Sequence, residues 1–354
     1  MDTNHTHEVK APGVPYIGAM KLLLIFGVVL IHCSLSKGYS DEESAANLAI
    51  KLCDFISLDI CWFCVPCFFC LSGYLYFRGV SSFDSSVYFG KLKRRLHSLF
   101  IPYVCWCAIC CVLLYVKHKF LHMPGLGIFL DGNEVDWVNF LKGFWYISQG
   151  DGYPYAFAFW FIRNLMVFIV LSPLAYVIGR WHITALIFYL SYLFLDIDFY
   201  GFEWFVAGVY FSCHQRFFEI GLRHSGLLLS LAVVVFCGCV LAQVFEYEYL
   251  LRLRGLLQVP SALYLVLVVS RRIYDNYVIR MLVPSTFMIY ATHQCYCTII
   301  RKVYAGIFGS GTLAGPFFAY ICSFLTMIVM GYLIYELMRG CCPRVLGLIT
   351  GGRL

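Results

Sequence analysis

Hydrophobic runs that cross a bilayer, or nearly so, recur ten times in this 354-residue chain, and no other feature limits its fold as strongly. A membrane-spanning helix needs about 20 mostly apolar residues. Its backbone must also satisfy its own hydrogen bonds, which in lipid leaves helices and closed barrels. The runs fall at 17–36, 58–77, 99–117, 157–178, 183–195, 199–212, 225–244, 256–270, 282–300 and 315–338, the fifth and sixth being short. Composition agrees: 61% of residues are hydrophobic and only 13% charged, where a soluble domain carries about a quarter charged. Mean hydropathy is +0.77. The expected fold is an all-α polytopic membrane protein of about ten transmembrane helices, with residues 17–340 as the membrane domain and 1–16 and 341–354 as cytoplasmic tails. The lipid bilayer is its first partner, and no nucleic-acid partner is expected.

Loop charge sets the expected orientation. Arg78, Lys91, Lys93, Arg94 and Arg95 form the densest basic loop, which by the positive-inside rule is cytoplasmic. Alternation then puts both termini inside and the acidic clusters Asp41–Glu42–Glu43, Asp131–Glu134–Asp136, Asp196–Asp198 and Glu246–Glu248 outside. The basic stretch reads as an orientation signal or as an anion clamp, since arginine grips phosphate bidentately. Both readings are compatible. The long outer segment 118–156 carries Trp137, Trp145, Tyr146, Tyr153 and Tyr155; these suit interfacial anchors or a platform for a sugar.

Polar residues inside the spans carry the functional argument. The first run, Ala19–Ser34, holds Lys21 and His32 eleven residues apart. That is about three helical turns, so the two side chains share one face roughly 16 Å apart. His32, Arg163, His293 and Glu203 fall at one outer depth from four different helices. Ionisable groups at such depths face a bundle interior or a water-filled cavity and mark function by default. Cys61, Cys64, Cys67 and Cys70 invite a metal-site reading. On a helix, each three-residue step leaves the side chain about 60° off register, so the four thiols spread over half the circumference and read as packing. No metal is expected.

The assembled elements resemble the membrane-bound acyltransferase-3 family, which includes bacterial sugar and polysaccharide O-acetyltransferases. The elements are Lys21 eleven before His32, Phe68-Phe69-Cys70-Leu71-Ser72-Gly73-Tyr74, and the basic stretch leading into Leu99-Phe100-Ile101-Pro102-Tyr103. They continue with Phe159-Trp160-Phe161-Ile162-Arg163-Asn164-Leu165, Ser172-Pro173, the motif ending at Gly208, and Ser285 to His293. Two positions depart from the pattern: Lys21 stands where arginine is usual, and Asn164 where an acidic residue is common, which leaves Arg163 without an obvious partner.

The resemblance implies a bacterial inner-membrane enzyme that takes an acyl group, most often acetyl, from cytoplasmic acyl-CoA. The acceptor would be a hydroxyl of a sugar or polysaccharide precursor at the outer face. On that reading His32 is the catalytic base or transient acyl carrier, and Lys21, Arg94 and Arg95 hold the CoA phosphates. Arg163 and His293 would then position the acceptor or stabilise the oxyanion, with Glu203 also on the acceptor's side. The competing class is a transporter or flippase for a lipid-linked sugar or small solute, whose mark would be paired broken helices in matching halves.

Overall fold

A computed structural model of the chain describes residues 15–35, 46–80, 82–121, 130–131, 134–146, 152–195, 199–214, 225–244, 251–309 and 314–352. Each of the ten apolar runs is helical over most of its described residues, and the chain is a multi-pass membrane protein. Among the described residues, four helices are long and apolar enough to cross a bilayer on their own: Asn47–Phe77, Ser85–Val116, Arg252–Ile273 and Ala314–Cys341. A bent pair over residues 157–180 makes a fifth if counted as one span. The acidic clusters at 41–43, 196–198 and 246–248 lie outside the described residues.

In chain order the helices are α1 (Tyr16–His32), α2 (Ala46–Asp54), α3 (Cys64–Phe77) and α4 (Ser85–Leu121). Then come α5 (Trp137–Lys142), α6 (Trp160–Val170), α7 (Ser172–Arg180), α8 (His182–Phe194) and α9 (Phe202–Cys213). The last are α10 (Ser225–Val244), α11 (Leu251–Ile273), α12 (Tyr277–Leu282), α13 (Thr286–Phe308), α14 (Ala314–Cys341) and α15 (Pro343–Thr350). A two-residue antiparallel ladder pairs Leu130 with Val135 and Asp131 with Glu134.

Four elements differ from the sequence expectation. The run expected at 58–77 begins eleven residues earlier, because α2 passes through a π-helical stretch, Phe55–Ile60, and a 3₁₀ turn, Cys61–Phe63, into α3. The run expected at 157–178 is two helices bent by 70°. Pro173 in the first turn of α7 has no N–H to continue the ladder, so the chain turns at Leu171. The basic stretch Lys91–Arg95 is not a loop but the first turns of α4. Asp84 caps that helix by accepting from the Val87 N–H at 2.9 Å, and lysine, leucine and arginine are good helix formers. Finally, the 341–354 tail is helical over 343–350. It packs on α4, where the Trp106 indole donates to the Ile349 carbonyl at 3.1 Å and Leu346 is fully buried.

Helix α3 crosses α9 at backbone contact. A methyl on Gly73 would run into the Phe205 carbonyl, and one on Gly208 into that of Cys70. Small residues allow such approach in membrane bundles, where burial alone supplies little force between helices. The cysteine series faces several neighbours. Cys64 fills the space left by Gly27 of α1, while the Cys67 thiol points to the Val259 carbonyl of α11 at 3.6 Å.

Candidate active site

A cavity of about 690 Å³ runs along the face of α1 that carries Lys21 and His32. That is within the range of small-molecule sites, about 300–1,000 Å³. At the Lys21 end the wall includes Gly18, Tyr76, Arg95 and Leu99, and at the His32 end Tyr153, Phe157, Trp160 and Phe161. Between them it is lined mainly by aliphatic residues of α1, α3 and α6. The eleven-residue spacing in α1 puts Lys21 and His32 at opposite ends of this apolar passage, and α4 adds Arg95 beside Lys21.

His32 is the last residue of α1 and half buried. Its ring meets Phe157 edge-on, with centroids 6.0 Å apart, and His293 at 5.1 Å with the planes tilted by 40°. His293 lies one turn beyond Tyr290 on α13 and is fully buried. Its Nδ1 is 2.6 Å from the Tyr290 carbonyl. A carbonyl only accepts, so Nδ1 carries the proton and donates, and in the neutral ring Nε2 is the acceptor. Among the described residues that buried Nε2 has no hydrogen-bond partner. The paired imidazoles therefore offer a fixed lone pair beside a ring that reaches the cavity.

The other residues expected at the site divide. Lys21 and Arg95 line the cavity; Arg94, exposed on the next position of α4, does not. Glu203 is buried in the first turn of α9, away from the cavity wall, where its carboxylate accepts from the Gly201 N–H at 3.1 Å. Gly201 has φ of 97°, and a side chain there would strike the Phe69 ring.

Arg163 also stands off the wall. Its Nη1 donates to the carbonyls of Trp145 (2.7 Å) and Gly152 (2.8 Å), its Nε reaches Asn164 Oδ1 at 3.3 Å, and its guanidinium lies over the Trp145 ring. These carbonyls supply the partners that the sequence does not make obvious. The segment they fasten leads directly into Tyr153 and Phe157 at the cavity mouth. Arg163→Ala is therefore expected to destabilise the folded protein, since it removes two charge-assisted bonds of about 1.5–3 kcal/mol each from the mouth. Thermal unfolding measured beside the wild type checks it.

Ser72 and Tyr76, one turn apart on α3, line the cavity without having been singled out as site residues. The sequence signal for Ser72 is a hydroxyl inside the apolar element Phe68–Tyr74, and Tyr76 follows two residues beyond it.

The sequence pattern of a family described as an acyltransferase domain matches residues 14–336. The chain belongs to the acyltransferase-3 family. Among curated proteins it is similar to the succinoglycan biosynthesis protein ExoH of Rhizobium meliloti (strain 1021), at 28% identity over 240 residues. The aligned part is 63% of this chain, which spans 61% of the relative's length. No solved structure matches. The acyltransferase-3 match takes in both ends of the cavity and both imidazoles, so the residues brought together here lie inside the family's own segment.

Proposed function

We propose that this acyltransferase-3 protein moves an acyl group, acetyl on our reading, from cytoplasmic acyl-CoA to a hydroxyl of a sugar or polysaccharide precursor at the outer face of the bacterial inner membrane. The carrying observation is that one and the same cavity has Lys21 and Arg95 at one end and His32 at the other. The cations suit the phosphates of CoA, and the apolar passage suits its pantetheine arm. The thioester then arrives about 16 Å away, at His32. As general base, His32 takes the acceptor's hydroxyl proton while the oxygen attacks the thioester carbonyl; the C–S bond breaks and the CoA thiolate leaves, taking up a proton. As acyl carrier, His32 would attack first and pass the acyl group on. His293 positions the imidazole. The aromatic mouth, Tyr153, Phe157 and Trp160, offers faces for a sugar ring. The name of the similar protein, which refers to succinoglycan biosynthesis, supports a polysaccharide acceptor.

Ten crossings with both ends inside fit this reading, since the basic start of α4 then lies on the donor's side. The 70° break at Leu171 favours a transporter to the extent that broken helices line permeation paths. A transporter would move solute without consuming a thioester.

The test is binding of acyl-CoA to purified protein in detergent, acetyl-CoA first and longer acyl-CoAs next. Arg95→Ala should weaken binding about tenfold, close to 1.4 kcal/mol. Arg94→Ala, off the wall, should change it less than threefold. Failure to bind any acyl-CoA would put the transporter first.

A further inference from the structure

His32 ends its helix, which is where a helix normally frays and its last carbonyls lack partners. Here that end is tied down from three directions. Asp54, the last residue of α2, accepts at Oδ1 from the Ser34 hydroxyl (2.9 Å) and the Leu35 N–H (2.7 Å). Arg301 of α13 donates from Nη1 to the Ser34 carbonyl at 2.6 Å. The Ser57 hydroxyl, in the π-helical stretch after α2, donates to the Leu30 carbonyl at 2.7 Å and meets Tyr320 of α14 at 2.9 Å. The Cys297 thiol donates to the carbonyl of His32 itself at 3.3 Å. Two opposite charges thus converge on Ser34, two residues past His32, one on its hydroxyl and the other on its carbonyl.

We infer that Asp54 and Arg301 are positioning residues for His32, holding the end of α1 so that the imidazole keeps its place between the cavity and His293. A neutral cap would satisfy the same backbone groups. A carboxylate and a guanidinium make the stronger, charge-assisted kind of bond to them. Reactive side chains need placement to about 0.5 Å, and Arg301 lies two turns beyond His293 on the same helix. One rigid element therefore sets both imidazoles. The sequence hides this link because Asp54, Ser34 and Arg301 come from three separate segments.

The inference rests on the acyltransferase reading for its kinetic arm alone. Asp54→Asn and Arg301→Gln are expected to lower kcat at least tenfold per folded molecule, with the KM for acyl-CoA within twofold. Arg301→Lys, which keeps a charged donor, should restore most of kcat. A second arm needs no turnover: the rate at which diethyl pyrocarbonate modifies His32, read by mass spectrometry against the exposed His97. That rate should change more than threefold in Asp54→Asn and Arg301→Gln while His97 stays constant.

In an active protein the inference stands only if kcat and His32 reactivity both move. Either one unchanged in well-folded variants overturns it and leaves these contacts as ordinary helix caps. If the wild type turns over no acyl-CoA, the function proposed above fails, and His32 reactivity alone decides the positioning role.

Discussion

His32→Ala is expected to lower acyl transfer by about 10²–10⁴-fold, the usual contribution of a positioned general base, while acyl-CoA still binds. The separation follows from geometry. Lys21 and Arg95, at the far end of the cavity, are untouched by the change, and the tunnel between them and residue 32 is formed by other side chains. Removing the imidazole opens space at the mouth beside Phe157 and His293 and creates no clash, since it only takes atoms away. Binding within about threefold of wild type, with turnover lost, would therefore assign His32 to the chemistry. Turnover close to wild type in a folded His32→Ala protein would remove both the general-base and the acyl-carrier role. A His32→Gln variant keeps size and polarity but is a poor base; it should behave as the alanine form does, which guards against a packing explanation.

The parts of this site visible in the sequence are those set by one helix. Lys21 and His32 lie eleven residues apart, so helical geometry alone puts them on one stripe, and both line the cavity. Membrane depth likewise brings His293 to the level of His32, and their rings meet. Depth carries no information about rotation, which is why Glu203 and Arg163 were grouped with them although neither lines the cavity. Glu203 satisfies the turn that starts its own helix, and Arg163 fastens a loop by its carbonyls, a partner type that residue identities never display.

Arg94 and Arg95 are alike in sequence, and only the helical start of α4 turns one to the cavity and the other to the exterior. Hydropathy located every apolar run but not the break at Leu171, because Ser172 and Pro173 hardly alter a window average while Pro173 interrupts the hydrogen-bond ladder. The contacts around Ser34 were invisible for a different reason. They join residues 20 and 267 positions apart, a pairing set by tertiary packing.

The largest expected effect on folding comes from Gly208. Its missing side chain lets α9 press on α3 at the Cys70 carbonyl, and Gly73 does the same from the other side at Phe205. Both obstacles are backbone, which cannot rotate away as a flexible side chain does. Gly208→Ala should cost about 1–3 kcal/mol, the range for overpacking. Gly208→Leu should prevent the two helices from seating, so that little monodisperse protein is recovered in detergent.

The consequence reaches the site, because α3 presents Phe68, Ser72 and Tyr76 to the cavity and α9 supplies Phe205. Any Gly208→Ala protein that folds should bind acyl-CoA more weakly than wild type, since the wall has moved. Gly238 and Gly306 are the controls. They lie in α10 and α13, where an added methyl meets nothing within 4 Å, so alanine there should be neutral or slightly stabilising. Size-exclusion profiles and thermal unfolding of the four variants decide the matter. A Gly208→Leu protein as monodisperse and as stable as Gly238→Ala would mean that the close crossing of α3 and α9 does not hold the cavity wall in place.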